Sequence, residues 1–386
     1  MKKTLRIAAP WLLLIALVAA AIVVPLMTKP APLPKELSLV EEAWYTILND
    51  YVDKDSIDLK VLSSGAIKGM LQAVNDPYTD YFNAAEYELI NKLNIEGSYG
   101  GIGASVSIDD GQIIVVVPFK DTPAERAGIK PKDSILEING ESTEGMTLDK
   151  AALKIMGEPG TQVTLKVLHK GEEEPVTLVI TREEIDLPSV YSEILPDNIA
   201  HIEITRFTSR TGAEFISALE TVLEQDVAGV ILDMRDNTGG VVTSAVTVTS
   251  QFLKDGVVLY TVDSEGGKQK WGVESGGIAT DLPLAILVNE NSASGSEVVA
   301  GAVQDYERGP LVGTLTFGKG SVNHFRQLSD GSAIYITIGR WETPNGRLIE
   351  GQGLSPDIEV ELTDEDIQQG KDPQLDKAIE YIKSQL

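Results

Sequence analysis

The chain has 386 residues, enough for two or three domains, and carries a formal net charge of −26. That balance argues against nucleic acid as a partner, because phosphate contacts need basic patches. The absence of cysteine excludes disulfides, thiolate metal sites and cysteine nucleophiles, and with three scattered histidines and no H-E-x-x-H no metal or cofactor is expected.

The N-terminus carries an export signature. Lys2, Lys3 and Arg6 precede an apolar run from Ile7 to Met27. The run is about long enough to cross a bilayer, which needs roughly 20 apolar residues. We expect an uncleaved signal-anchor over 1–28, a single pass through the cell membrane, with the basic end inside and the bulk of the protein outside the cytoplasm. Cleavage near Ala19-Ala20-Ala21 would instead give a secreted protein. A proline-rich spacer covers 29–37. The region 38–95 reads as helical. Ser38 and Glu41 form an S-x-x-E capping box ahead of an apolar face of Val40, Trp44, Ile47 and Leu48. A second helix is expected over Asp58–Val74, stopped by Asp76-Pro77, and a third over Ala84–Leu93 after Asn83. These helices are too few for a large core of their own. Packing on the rest of the chain, or on a second subunit, is expected.

The region 96–183 is β-rich. Strands are expected around Ile113–Val117 after the Asp110-Gly111 turn, and at Asp133–Asn139, Val163–Leu168 and Val176–Ile180. Short helices fall at Ala124–Ala127 and Leu148–Met156. The phrases GGIGA and PAERAGIKPKDSILEING resemble a PDZ domain. Such a domain adds a peptide as an extra strand and holds its terminal carboxylate on backbone N–H groups. By motif position, Gly101, Ile102 and Gly103 are the peptide-binding loop. G-x-G here is not a dinucleotide fingerprint, since no helix follows it at once.

From 184 to 362 the pattern becomes α/β. Ile199–Arg206 is a strand and Gly212–Leu223 a helix. Gly229–Met234 is a buried strand that ends in Arg235-Asp236-Asn237-Thr238-Gly239-Gly240, before a helix over Val241–Leu253. Leu282–Val288 is a second buried strand. It ends in Ser292-Ala293-Ser294-Gly295-Ser296 ahead of a helix over Glu297–Tyr306. Backbone N–H groups at such helix starts favour negative charge. A serine there has an exposed hydroxyl beside a donor, which is half of an acyl-transfer site. No histidine stands in a recognisable triad context, and no G-x-S-x-G elbow occurs. A lysine can serve as base once its site lowers its pKa. Lys319, between Gly318 and Gly320 after an expected strand at Leu311–Leu315, is the candidate. A further strand is expected at Ser332–Ile338, and 363–386 closes with an amphipathic helix over Asp372–Leu386.

SASGSE, followed 25 positions on from Ser294 by Lys319 in TFGKG, resembles the C-terminal processing, or tail-specific, proteases. The likeness covers nearly the whole chain after the N-terminal tail. It implies an α/β multi-domain fold: an N-terminal helical segment, a PDZ-like β-rich domain and a crotonase-like Ser–Lys protease domain. It implies Ser294 as nucleophile and Lys319 as general base. Where the family usually has glutamine four residues after the lysine, this chain has Asn323, the candidate third catalytic member. LDMRDNTGG resembles the family's oxyanion signature and implies donors at Gly239 and Gly240, with Gly295 beside the nucleophile. The partners implied are polypeptides with free C-termini, captured by the PDZ domain, and a homodimer built through the terminal helices. No cofactor is implied. The rival from the same family is a catalytically impaired PDZ scaffold. A penicillin-binding acyl hydrolase is disfavoured because S-x-x-K occurs nowhere.

Overall fold

The computed structural model describes residues 34–386 except 97, 110, 147, 173, 187, 364, 367 and 368. The expected signal-anchor therefore lies outside the described residues, and among the described residues no helix is long and apolar enough to cross a membrane. The chain is divided between Ala66 and Ile67 into two compact units.

The first unit holds α1 (Lys35–Asp50), an amphipathic helix with no buried residue. Leu39, Val40, Tyr45 and Ile47 are exposed along it. The expected capping box at its start does not form. The helix begins before Ser38, after Pro34, and the Ser38 hydroxyl donates back to Lys35 O at 2.6 Å. Proline's fixed φ and missing N–H suit the edge of a helix, which shifted the start. Next, α2 spans Leu59–Val74, capped at its start by Asp58, whose carboxylate accepts the Lys60 N–H.

In the second unit, β1 (Asp80–Phe82) precedes α3 (Ala84–Glu96), which starts where Asn83 Oδ1 accepts the Ala85 and Glu86 N–H groups. The PDZ part follows. Strands β2 (Ser98–Gly101) and β9 (Glu183–Asp186) pair as a ribbon. Strands β3 (Ala104–Asp109), β4 (Gln112–Pro118), β5 (Ser134–Ile138), β7 (Gln162–Leu168) and β8 (Val176–Thr181) form an antiparallel sheet in that order, with β6 (Glu141–Ser142) beside β5. Alternate residues such as Val163, Leu165 and Val167 point inward and are fully buried. They pack with Ile102, Ile113 and Val115, and with Ala151 and Ile155 from α5 (Leu148–Ile155).

The protease part is built on a six-stranded sheet of order β10 (Val190–Leu195), β11 (Ile199–Ile204), β12 (Gly229–Asp233), β15 (Leu284–Val288), β16 (Leu311–Gly313), β19 (Ile358–Glu359). All pairings but the first are parallel. Parallel strands are covered on both faces and so read as continuous apolar runs, as GVILD and LAILV do. One face packs on α6 (Thr211–Leu223), α7 (Val242–Ser250) and α8 (Gly295–Asp305). The other, with Ile199, Ile231, Ala285, Leu287 and Val312, is closed by Ala378 and Ile382 of the C-terminal helix α9 (Pro373–Ser384).

A second sheet, order β1, β18 (Ala333–Glu342), β13 (Val257–Asp263), β14 (Lys268–Gly272), with β17 (Ser321–Gln327) also paired to β18, stands beside the first. The sequence reading missed β1, β13, β14 and β17, and ended β18 too early. β14 and most of β17 are half-buried or exposed, so they show neither a continuous apolar run nor clean alternation. β13 does carry an apolar run, with Val258 and Leu259 buried, and that signal was overlooked. The strand expected through Leu315 stops at Gly313, whose φ is +133° and where an added Cβ would lie 1.9 Å from Val288 O.

Candidate active site

Two strand–turn–helix connections at the same end of the parallel sheet meet here. From β15 the chain turns through Asn289–Ser294 into α8, and Ser294 holds the N-cap position with φ 50°, ψ −108°. A non-glycine residue held there stores strain of order 1–3 kcal/mol and persists only when its surroundings over-determine it. The hydrogen bonds do so. Ala293 N–H donates to Asn237 O at 3.0 Å, and Ser296 Oγ donates to the same carbonyl at 2.8 Å. Ser292 Oγ donates to Met234 O at 2.8 Å. The turn is thus tied to the connection that follows β12.

That second connection runs through Asn237 and Gly239 to Gly240 and α7. Asn237 is buried, donating to Ile204 O and accepting from the Gly239 N–H. An added Cβ on Gly239, whose φ is +93°, would lie 2.6 Å from Gly295 N and 2.7 Å from Ser294 Cβ. On Gly240, at φ +140°, it would lie 2.0 Å from Phe207 O. Both glycines are required by close approach as well as by backbone conformation. Among the described residues, neither Gly240 N–H nor Gly295 N–H donates a hydrogen bond. Upstream, Arg235 forms ion pairs with Asp233 at 2.6 Å and with Asp372 at 2.9 Å. These carboxylates hold its pKa above the ordinary arginine value against burial and join the turn to the start of α9.

Lys319 arrives from the loop after β16. Lys319, Ser294, Gly240 and Asn323 line one pocket of about 50 Å³, with Tyr335 and Trp341 among its walls. Burial lowers the Lys319 pKa below its ordinary value, against the opposing pull of Glu350, Asp76 and Glu297. Its backbone is fixed by Trp341 Nε1, which donates to Lys319 O at 3.0 Å. Asn323 lies on β17. Its amide nitrogen donates to Tyr78 O at 3.1 Å and to Thr337 Oγ1 at 2.9 Å, and its oxygen accepts from Ser321 Oγ at 2.9 Å.

The sequence reading missed the residue that joins these parts. Glu297 is fully buried in the first turn of α8. One carboxylate oxygen accepts Thr316 Oγ1 at 2.6 Å and Gly318 N–H at 2.7 Å; the other accepts Ser294 N–H and Lys319 N–H, each at 2.9 Å. A single carboxylate therefore sets the serine turn against the lysine loop. Burial pushes its pKa up, and these four hydrogen bonds oppose the rise. The signal was present as S-x-x-E at Ser294–Glu297, the pattern of a capping box.

In the PDZ part, the Gly101–Gly103 loop is held by Ala124 N–H on Ile102 O at 2.7 Å and Thr122 Oγ1 on Gly103 O at 2.9 Å. The Ile102 side chain is buried in the PDZ core. His169 and His201 lie away from the serine, hydrogen-bonded to Asp133 at 2.9 Å and Asp233 at 3.2 Å respectively. Among the described residues no cluster of metal-ligating side chains occurs.

Comparison with known proteins gives the same outline. Residues 198–360 match the model of peptidase family S41, residues 92–168 that of the PDZ domain, and residues 25–86 that of the activating protease CtpB N-terminal domain. The chain is 36% identical over 325 residues to the carboxy-terminal processing protease CtpA of Bacillus subtilis, covering 84% of this chain and 69% of that protein. The chain belongs to the carboxy-terminal processing protease family. Carboxy-terminal processing protease CtpB of the same organism is 35% identical over 334 residues, 86% of this chain and 69% of its own length. Among solved structures, a photosystem II D1 C-terminal processing protease aligns with TM-score 0.58 at 28% identity, over 85% of this chain and 94% of that one. As a member of this family the chain is a PDZ-containing serine protease.

Proposed function

We propose that the chain is an endopeptidase that cleaves polypeptides in dependence on their free C-terminus, with Ser294 as nucleophile and Lys319 as general base. The observation that carries this reading is the shared pocket of Ser294 and Lys319, in which burial lowers the lysine pKa. At an ordinary pKa of about 10.4, neutralising a lysine at pH 7 costs about 4.6 kcal/mol. Partial burial removes part of that cost. Neutral Lys319 takes the Ser294 Oγ proton as Oγ attacks the scissile carbonyl. The N–H groups of Gly240 and Gly295, backed by Gly239, receive the oxyanion, and the lysine returns its proton to the leaving amine. Water then hydrolyses the acyl-enzyme by the same route. Asn323 is the third member.

In this reading the PDZ part captures the substrate tail at Gly101–Gly103 and feeds the chain to Ser294. The apolar run before residue 28 anchors the protein, and the exposed apolar residues of α1 suit a homodimer contact. The deciding experiment is cleavage of a denatured polypeptide by the parent and by Ser294→Ala; equal turnover sinks the assignment. Peptides ending in a free acid or an amide test tail capture, and equal cleavage of both removes it. The mass of the membrane-extracted protein tests the anchor, since a mature start near Ala21 or Ile22 means that the segment is cleaved.

A further inference from the structure

Lys319 Nζ lies 5.0 Å from the ring centroid of Tyr78. Tyr78 belongs to Asp76-Pro77-Tyr78-Thr79, between α2 and β1, far from the lysine in sequence. The segment is clamped in place. The Asp76 carboxylate accepts the Tyr78 N–H at 3.1 Å, Thr79 Oγ1 at 2.7 Å and Thr337 Oγ1 of β18. Thr79 Oγ1 in turn accepts the Thr337 N–H at 3.3 Å. From β17, Asn323 donates both to Tyr78 O and to Thr337 Oγ1. β1 continues the tie, pairing Asp80 with Tyr335 and Phe82 with Ala333. Among the described residues no hydrogen bond joins Asn323 to Lys319; its amide nitrogen is spent on this clamp and its oxygen accepts from Ser321 Oγ.

We propose that Tyr78 is a positioning residue for Lys319. Its ring seats and covers the Nζ, and Asn323 acts on the lysine by fixing Tyr78 rather than by bonding the amine. This rests on Lys319 being the base.

The ring has two opposed effects. Its π face attracts the ammonium form. Its bulk keeps water from the Nζ and so favours the neutral form. The charged groups around the amine are Glu350, Asp76 and Glu297, all of which favour the ammonium form. Arg340, whose charge pulls the Tyr78 pKa down, has its Nε 3.9 Å from Glu350. Burial outweighs the three carboxylates at Lys319, and the ring 5.0 Å from the Nζ is part of that cover. Tyr78 itself stays neutral, because burial, Glu350, Glu297 and Asp76 all raise its pKa. The ring does not exchange protons; it holds and dries the group that does.

The test follows the Lys319 amine directly, in full-length Ser294→Ala protein with ¹³C at lysine Cε. The Lys319 resonance is assigned by its loss in the Lys319→Met variant. Tyr78→Phe should titrate with the parent. Tyr78→Ala, which admits water, should titrate about one pH unit higher. Tyr78→Leu, which keeps bulk without the π face, should titrate at or below the parent and serves if the alanine variant is unstable. Asn323→Ala should shift the lysine upward by less, and add nothing on top of Tyr78→Ala. In the active enzyme, the acid limb of kcat should follow the same order. A Lys319 titration unmoved by Tyr78→Ala, one raised by Tyr78→Leu, or an Asn323 effect that persists without Tyr78 overturns the proposal. An acid limb that tracks the Lys319 titration in no variant is a different failure: it removes lysine as the base and leaves the seating of its Nζ standing.

Discussion

Replacing Glu297 by glutamine should separate the serine turn from the lysine loop with almost no change in shape. The carboxylate accepts four donors, two on each oxygen. Glutamine has one acceptor oxygen and one NH2. The hydroxyl of Thr316 can rotate to accept, whereas the backbone N–H groups of Ser294 and Lys319 cannot. The amide should therefore turn its oxygen toward Ser294 and Lys319, leaving the Gly318 N–H facing an NH2. Three charge-assisted bonds, to Ser294, Lys319 and Thr316, become neutral ones, at about 1 kcal/mol each, and one buried N–H is orphaned at about 1–3 kcal/mol. The protease part should lose roughly 4–6 kcal/mol of stability, a large fraction of the ~5–15 kcal/mol of an ordinary domain. Ser294 at φ 50° depends on this clamp, so kcat should also fall at temperatures where both proteins are folded. The measurements are urea unfolding followed by tryptophan fluorescence and kcat on a peptide substrate at low temperature. Glu297→Ala, which orphans all four donors, should be worse in both. A Glu297→Gln protein within about 0.5 kcal/mol of the parent, with unchanged kcat, would refute the clamp.

Ser294→Ala and Lys319→Ala should each abolish cleavage of a denatured substrate, while His201→Ala and His324→Ala should not; a folded but inactive histidine variant would overturn the Ser–Lys assignment. Gly240→Ala puts a Cβ 2.0 Å from Phe207 O at a φ of +140°, which must displace the Gly240 N–H. The expected loss is about 10²–10³-fold in kcat, read by single-turnover kinetics on a protein whose thermal melt shows it folded. Burial of His201 lowers its pKa, but its hydrogen bonds to Asp233 and Glu193 outweigh that and raise it. Its stabilisation is thus fully present below the unfolded value of about 6.5 and is lost as pH rises through the folded value. The Tm deficit of His201→Asn should accordingly be larger at pH 5.5 than at pH 9; a deficit that grows with pH contradicts the assignment.

Much of this protein can be read along the chain. The apolar runs at Gly229–Met234 and Leu282–Val288 can only be strands buried on both faces, and a glycine-rich or serine-rich turn before a helix follows each. Those local patterns carry the parallel sheet, the paired helix starts, and the places of Ser294, Gly239 and Gly240. The strands of the PDZ part were legible for the same reason, since turn residues and period-2 alternation are local, whereas its assignment as a PDZ domain came from the resemblance of GGIGA and PAERAGIKPKDSILEING. What the chain does not show is which distant groups converge. Asp76-Pro77 reads as a helix stop, yet in three dimensions it begins the segment that lays Tyr78 against Lys319. Asn323 reads as a shortened glutamine aimed at the lysine, but its amide is used on Tyr78, Thr337 and Ser321. Glu297 reads as an ordinary first-turn acid, and only the folded chain brings Thr316, Gly318 and Lys319 to its carboxylate. Periodicity and turn chemistry are properties of neighbours in sequence. The partner of a buried polar group is chosen by tertiary packing, because burial requires some partner and does not specify where along the chain that partner lies.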